Sequence, residues 1–344
     1  MTNKQEKMIC NTFGISKPKP FQKKVITDLS DGKDVLGLAR TSEGKSICFL
    51  SMITLHPNGL LIGILPTVAL MRDLVQRCED NKIRVSCLYS GNTENTTVIE
   101  RLTHRKLQAI FVAPERLSNP HLWKAIQRNS VHTVVVDEVH CLTEWGNEFR
   151  PMYRNIGKFI KDLPASPVIA AFSATVMPDD ISYIVKSLHM KNPVIHIGKL
   201  KRSNLSLKKS FVKNDAARYA KVRKAIQKYD SKGKIVIYCT RVCDVEDMRD
   251  FLIGDCDISA SEIALCHSRL SDRAEQEARF RSGKAHIMIA TSAFGMGVNI
   301  SDIRLIIVSQ LPFSVASFYQ MAGRPGATAN AQRHCCSGMT PIFR

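Results

Sequence analysis

The chain has 344 residues, enough for two domains that each bury a core, and 44% apolar with 23% charged residues is the balance of a soluble globular protein. Forty-nine Lys and Arg against 31 Asp and Glu leave a net charge of +18, which favours a polyanionic partner, although a merely basic globular protein carries the same balance. No run of about 18 apolar residues and no apolar N-terminal segment occurs, so membrane insertion and secretion are not expected. Eleven cysteines, scattered from Cys10 to Cys336 without a C-x-x-C pair, argue for reduced thiols and against a disulfide frame or a zinc site.

Residues 13–22, FGISKPKPFQ, are punctuated by prolines. KKVITDLSDGKDVLGLA then reads as a helix, a turn at Asp31-Gly32 and a strand. ARTSEGKSICFL is a strand-loop-helix junction. Phosphate binding asks for consecutive backbone N–H groups at a helix N-terminus, a lysine for the outer phosphates and a hydroxyl for magnesium, and Gly44, Lys45 and Ser46 supply these parts. The strict G-x-x-x-x-G-K-[ST] pattern fails at its first position, which is Ala39. Ser42 and Glu43 place side chains where a positive φ would be strained, and Glu43 adds a carboxylate that repels phosphate, so weak nucleotide binding is expected. LLIGILPTVALMRDLVQRC is an apolar strand, a break at Pro66-Thr67 and an amphipathic helix, and AIFVAPERL is a further strand.

The chain is organised around residues 134–153, VVVDEVHCLTEWGNEFRPMY. Three valines read as a fully buried strand whose end places Asp137 and Glu138 where open parallel sheets bind ligands. Such a pair can hold a magnesium ion and poise a water, or form an acidic turn. His140 follows, and Trp145, Phe149, Arg150 and Tyr153 crowd into a loop with Gly146. Aromatic faces and arginine are the groups that stack unpaired bases. VIAAFSATVMPDD repeats the strand-end layout with Ser173-Ala174-Thr175, as a relay of nucleotide state or as a helix cap.

Between Pro193 and Lys213 the sequence is basic and polar without a sustained apolar period, which places a domain boundary there and divides the chain into 1–200 and 201–344. KIVIYC, IALCHS, AHIMIAT and LIIVSQ read as strands and TRVCDVEDMRDFL as a helix, implying a second parallel sheet. Cys239 and Cys243 read as packing residues.

In order and spacing, these stretches resemble the RecQ-family superfamily 2 DNA helicases from Phe13 to Gly326. DEVH with its aromatic loop, YCTR, IATSAFGMGVNISDIRLII and QMAGRPG all match motifs of that family. The resemblance implies an α/β fold of two tandem RecA-like domains, each a parallel sheet flanked by helices, with the nucleotide site in the cleft between them. It implies ATP and magnesium, single-stranded and fork-like DNA as partners, 3′ to 5′ movement, and a role in repair or recombination. A monomer without membrane attachment is expected, in the cytoplasm with the nucleoid if bacterial and in the nucleus if eukaryotic.

Residue by residue, the resemblance places Gln22 and Lys19 at the adenine, with Ile15 where the family has an aromatic. Thr41, Ser42, Glu43, Gly44, Lys45 and Ser46 surround the phosphates, Ser46 and Asp137 hold magnesium, and Glu138 orients the attacking water. Pro66 and Thr67 would touch a single strand, with Trp145, Phe149, Arg150 and Tyr153 stacking on or gripping it. His140, Ser173, Ala174, Thr175, Gly295 and Gly297 would couple the two events, and Gln320 and Arg324 complete the nucleotide site from the second domain. Departures are Glu144, Asn147 and Asn299, and Ala327 where the family has an arginine finger.

Two alternatives follow from the same residues. A DEAD-box RNA helicase would lack the W-G-x-x-F-R-P loop and the F-G-M-G pattern. A degenerate core that binds nucleotide and nucleic acid with little turnover is the other, and Ser42, Glu43 and Ala327 point to it. The last 18 residues, Ala327 to Arg344, show neither strand nor helix period and are expected to be a shifted reading frame. Codons taken from their third bases permit Arg-Asp-Gly after Gly326 and then a leucine-rich run.

Overall fold

The computed structural model describes residues 1–40, 43–143, 151–174, 176–199, 205–229, 233–292, 294, 300, 302–310, 318, 321 and 333–339. Thr41, Ser42, Trp145, Phe149, Arg150, Thr175, Gly295, Gly297, Gln320, Arg324 and Ala327 lie outside the described residues. The chain forms two compact units, Met1–Leu200 and Lys201–Arg344.

In the first unit, helix α1 (Asn3–Phe13) starts from a reciprocal cap. The Thr2 hydroxyl accepts from Gln5 N, and the Gln5 side chain accepts from Thr2 N. Helix α2 (Pro20–Ser30) opens on a proline, whose missing N–H costs a first turn nothing. It buries Phe21, Gln22, Val25, Ile26 and Leu29 along one face. There follow β1 (Val35–Leu38), α3 (Lys45–Leu55), β2 (Leu60–Ile64), α4 (Val68–Asp80), β3 (Val85–Leu88), α5 (Asn95–Thr103), β4 (Ala109–Val112), α6 (Pro120–Ile126), β5 (Val131–Val136), α7 (Arg154–Lys161), β6 (Val168–Ser173), α8 (Asp180–Ser187) and β7 (Val194–Ile197).

These strands form one seven-stranded sheet in the order β3-β4-β2-β5-β6-β1-β7, with every pairing parallel. A sheet covered on both faces must be apolar on both, which is why its strands read as unbroken apolar runs. Val134 and Val136 of β5 join Ile62 and Ile64 of β2 in one core, and Val135 joins Leu61, Ile26 and Phe49 in the other.

The second unit holds β8 (Leu205–Phe211), α9 (Asp215–Tyr229), β9 (Lys234–Tyr238), α10 (Val242–Gly254), β10 (Ile263–Cys266), α11 (Arg273–Ser282), β11 (Ile287–Ala290), β12 (Ile303–Val308) and β13 (Arg333–Met339). Its six-stranded parallel sheet runs β10-β11-β9-β12-β13-β8. Val236 and Tyr238 of β9 face one core, and Ile235 and Ile237 the other. No helix among the described residues is long and apolar enough to cross a membrane.

Three features differ from the sequence reading. The polar stretch after Pro193 contains two strands, β7 and β8, at the outer edges of the two sheets. An edge strand is covered incompletely, so no apolar run marks it: Ile197 is 66% and Phe211 65% exposed. The tail, where no strand is expected, contributes β13 between β12 and β8, with Leu305 opposite His334 and Val308 opposite Ser337. Ladder pairing uses backbone groups and leaves no signature in a segment such as RHCCSGM. Cys239 is buried as expected, whereas Cys243 on α10 is exposed.

Candidate functional site

Four adjacent strands of the first sheet, β2, β5, β6 and β1, end side by side, and the residues that follow them make the site. After β1, Ala39 N donates to the Ser173 carbonyl at 3.0 Å. Gly44 then caps α3 at φ 72°, and a Cβ there would stand 2.5 Å from Gln22 Nε2. Both the left-handed backbone and the close amide require glycine. Gln22 is buried, its Nε2 donating to the carbonyls of Glu43 and Gly44 at 3.2 and 3.0 Å and its Oε1 accepting from Lys19 N at 2.7 Å. The amide expected at adenine thus ties the start of α2 to the loop ahead of α3.

Lys45 opens α3 and is 6% exposed, and its Nζ has no hydrogen-bond partner among the described residues. A buried ammonium without a partner is unfavourable, and the N-terminus of α3 adds its own unsatisfied N–H donors. A multiply charged oxyanion satisfies both, so the residues present fit a nucleotide polyphosphate. The neighbouring Ser46 Oγ accepts from Arg77 Nη1 of α4 at 3.4 Å.

Glu43 departs from expectation in two ways. It is absent from the described non-glycine residues with positive φ, so the anticipated backbone strain does not arise. Its carboxylate is also not isolated: Arg40 Nε and Nη2 both lie 2.9 Å from Oε1, and Lys19 Nζ lies 4.0 Å from Oε2.

Past β5, Asp137 N donates to the Ile64 carbonyl at 3.1 Å, and Asp137 Oδ1 accepts from Glu138 N at 2.9 Å. Burial pushes the Asp137 carboxyl up to about 6, against the pull of the Lys45 charge and with a further push from Glu138. A divalent cation would replace the hydration this carboxylate has lost, so Asp137 also fits a magnesium site. Glu138 sits at φ 52° and caps a 3-10 turn, Val139–Leu142. A non-glycine residue held there typically costs about 1–3 kcal/mol.

That turn brings His140 back to its neighbours. His140 Nδ1 is 3.3 Å from Glu138 Oε2 and 2.9 Å from Ser173 Oγ at the end of β6. Burial opposes its charge, yet the Cys141 sulfur and the Glu138 carboxylate hold its pKa well above the ordinary value.

The remaining expected residues take other places. Pro66 is buried, and Thr67 is half-buried, its Oγ1 capping α4 by accepting from Leu70 N at 3.3 Å. Ala174 is half-buried beside Ser173. Tyr153, expected on the nucleic-acid face, lies instead in the core at 1% exposure, with its hydroxyl donating to the Asp137 carbonyl at 3.4 Å. A base has no face of this ring to stack on, because core side chains cover it. Sequence reasoning missed Arg40 and Arg77. The opposite charges of Arg40 and Glu43 at i, i+3 were a usable signal, whereas nothing local links Arg77 to Ser46.

The DEAD/DEAH box helicase family matches residues 19–183, and the helicase conserved C-terminal domain matches residues 217–328. The ATP-dependent DNA helicase RecQ of Bacillus subtilis (strain 168) is 31% identical over 333 residues, 95% of this chain and 54% of that protein. The RecQ of Haemophilus influenzae is 29% identical over 323 residues, 92% of this chain and 50% of that protein. A putative ATP-dependent RNA helicase, R290 of Acanthamoeba polyphaga mimivirus, is 30% identical over 332 residues, 94% of this chain and 58% of that protein. The chain spans about half the length of the curated relatives it matches. Among solved structures, the DUF1998 helicase MrfA bound to DNA and AMPPNP has a TM-score of 0.76 at 17% identity, covering 99% of this chain and 51% of that chain. S. cerevisiae Dbp5 bound to RNA and ADP BeF3 has a TM-score of 0.76 at 15% identity, covering 99% and 88%. The fold of two tandem RecA-like domains is shared with both.

Proposed function

Because this chain belongs to the RecQ-like helicases, with a DEAD/DEAH box domain followed by the conserved C-terminal helicase domain, we propose that it is an ATP-dependent DNA helicase core. It moves 3′ to 5′ along a single strand and opens duplex or fork-like DNA in repair or recombination. The observation that carries the reading is Lys45, a buried ammonium without a hydrogen-bond partner among the described residues, close enough to Asp137 to act on its titration.

In this reading Lys45 and the N-terminus of α3 bind the outer phosphates of ATP. Ser46 and Asp137 would hold magnesium, which when bound neutralises charge on the phosphate oxygens. Glu138 orients the attacking water, and His140, 3.3 Å from its carboxylate, fixes its direction. Through the Ser173 hydroxyl the same imidazole links hydrolysis to β6, and Trp145, Phe149 and Arg150 grip the strand. A core that binds ATP and nucleic acid with little turnover is the second reading, supported by Ala327 at the place where the resemblance expects an arginine finger.

The test is the ATPase rate of the full chain alone, with single-stranded DNA and with single-stranded RNA. Stimulation by DNA above RNA is expected. Greater stimulation by RNA would overturn the substrate, and no hydrolysis under any condition, with binding intact, would favour the second reading.

A further inference from the structure

Arg40 and Glu43 bracket the two residues that lead into the Gly44 cap, and they hold each other. The Glu43 side chain is 8% exposed and the Arg40 side chain 25%, so the carboxylate is the fixed inner partner and the guanidinium the outer one with room to move. Glu43 cannot easily withdraw, because Gln22 holds the carbonyls of residues 43 and 44 from below. Lys19 Nζ stands 4.0 Å from Oε2, the other carboxylate oxygen, and its side chain is 48% exposed. The next residue, Lys45, carries the buried ammonium described above. Arg40 and Lys19 thus lie against the carboxylate that directly precedes the Gly44 cap, and Lys45 directly follows that cap.

We propose that the Arg40–Glu43 pair is a charge-exchange latch on the nucleotide site: entering phosphates take the Arg40 guanidinium from the Glu43 carboxylate, and Lys19 then receives that carboxylate. Arg40 is thereby a phosphate-binding residue, and Glu43 sets how tightly the site closes. The proposal rests on the reading of Lys45 as the phosphate lysine. Its physical basis is that a guanidinium pairs equally well with carboxylate and phosphate, as a planar fork of donors. A buried carboxylate deprived of its partner is strongly disfavoured unless a second cation is within reach. Exchange between two anions, with Lys19 in waiting, avoids that state. Without an incoming anion the pair stays closed, which explains how a carboxylate is tolerated beside a phosphate site.

The latch is tested by titrating the full chain with magnesium and a fluorescent ATP analogue, comparing wild type with Glu43→Gln, Arg40→Gln and the double variant, each checked by circular dichroism. Arg40→Lys, which keeps the charge without the fork, replaces Arg40→Gln if the latter fails to fold. Glu43→Gln is expected to bind roughly tenfold tighter than wild type, the effect of removing one unit charge near the phosphates. The double variant is expected to bind more weakly than Glu43→Gln, because Arg40 contacts phosphate whether or not Glu43 is charged. Equal affinity of wild type and Glu43→Gln would overturn the latch while leaving the nucleotide site standing. Equal affinity of the double variant and Glu43→Gln would overturn Arg40 as a phosphate ligand. Absence of binding in every variant, Glu43→Gln included, would overturn the Lys45 reading and the latch with it.

Discussion

His140 Nδ1 lies 2.9 Å from Ser173 Oγ, a contact that joins the turn after β5 to the end of β6 across 33 residues of sequence. The same nitrogen is 3.3 Å from Glu138, so the group expected to orient water and the adjacent strand share one imidazole. Ser173→Ala removes one arm of this fork and leaves the other. Its basal ATPase and ATP affinity should stay near wild type, while stimulation by single-stranded DNA should fall about tenfold, the rate equivalent of one hydrogen bond of about 1.4 kcal/mol. Steady-state ATPase with and without DNA checks this, and unchanged stimulation would remove Ser173 from the coupling route.

The nucleotide site separates binding from turnover. Lys45→Ala should abolish ATP binding, whereas Glu138→Gln should bind ATP normally and lose about 10²–10⁴ in hydrolysis rate, as expected for a water-orienting group. Equal hydrolysis by wild type and Glu138→Gln, both above background, would sink the assignment.

Tyr153 and Trp145 should part company. Tyr153 is a buried core aromatic, so Tyr153→Ala should cost about 3–5 kcal/mol of stability, and Tyr153→Phe should cost little beyond one long hydrogen bond. Trp145→Ala should weaken DNA stimulation more than basal ATPase, since stacking contributes about 1–3 kcal/mol per base, and a loss of folding would instead mark a structural ring. Thermal melts and DNA-stimulated ATPase on the same samples distinguish the two. A Tyr153→Ala variant of normal stability that fails to bind DNA would reverse the conclusion about that ring.

Away from the site, His56 and His132 stack with ring centroids 3.5 Å apart and planes 23° from parallel. Burial, with the nearby His56 charge second, pushes His132 down to about 4, and burial lowers His56 too. The unfolded chain therefore binds protons that the folded chain refuses. The contribution of His132 to stability is full above the ordinary histidine value of about 6.5 and is lost as pH falls from there toward 4, while Asp137, held up at about 6, tilts the other way. Urea midpoints measured for wild type and His132→Gln at several pH values should therefore diverge through this window, wild type losing ground as pH falls, because Asp137 tilts both proteins alike. A slope identical in the variant would show that other groups cause it.

The tail bears on turnover. β13 lies between β12 and β8, an interior place in a parallel sheet where an apolar run is usual, yet its sequence is RHCCSGM. We expect the locus to encode, in the frame read from third bases, Arg-Asp-Gly after Gly326 followed by a leucine-rich strand. A chain restored in that frame would carry an arginine at position 327, a group that in related nucleotide hydrolases contributes about 10³–10⁵ in turnover. Resequencing decides the matter: third-base codons unable to encode Arg-Asp-Gly would end the idea.

Much of this was legible along the chain, for local reasons. A strand covered on both faces must be apolar throughout, so β2, β5, β6, β9, β11 and β12 announced themselves as short apolar runs. The turn into α3 needs a residue at positive φ, which made Gly44 conspicuous, and Asp137-Glu138 stands directly after the buried valines of β5. The edge strands β7 and β8 were silent because half-covered strands need no apolar pattern, and β13 because backbone ladders do not read side chains. Tyr153 shows the limit most plainly: an aromatic next to a polar loop can face solvent or core with the same neighbours in sequence.

What the linear order could not specify was which strands become neighbours. Local preference depends on residues a few positions apart, so helices, strands and caps were readable from spacing alone. The pairings β5 with β6 and β6 with β1 join residues 35 and 135 apart in sequence (Val134 with Ile169, Val35 with Ala170), and only the collective burial of both sheet faces selects them. Those pairings set Ser173 against His140 and the end of β1 against Ser173, and so placed the carboxylates, the imidazole and the buried lysine at one edge.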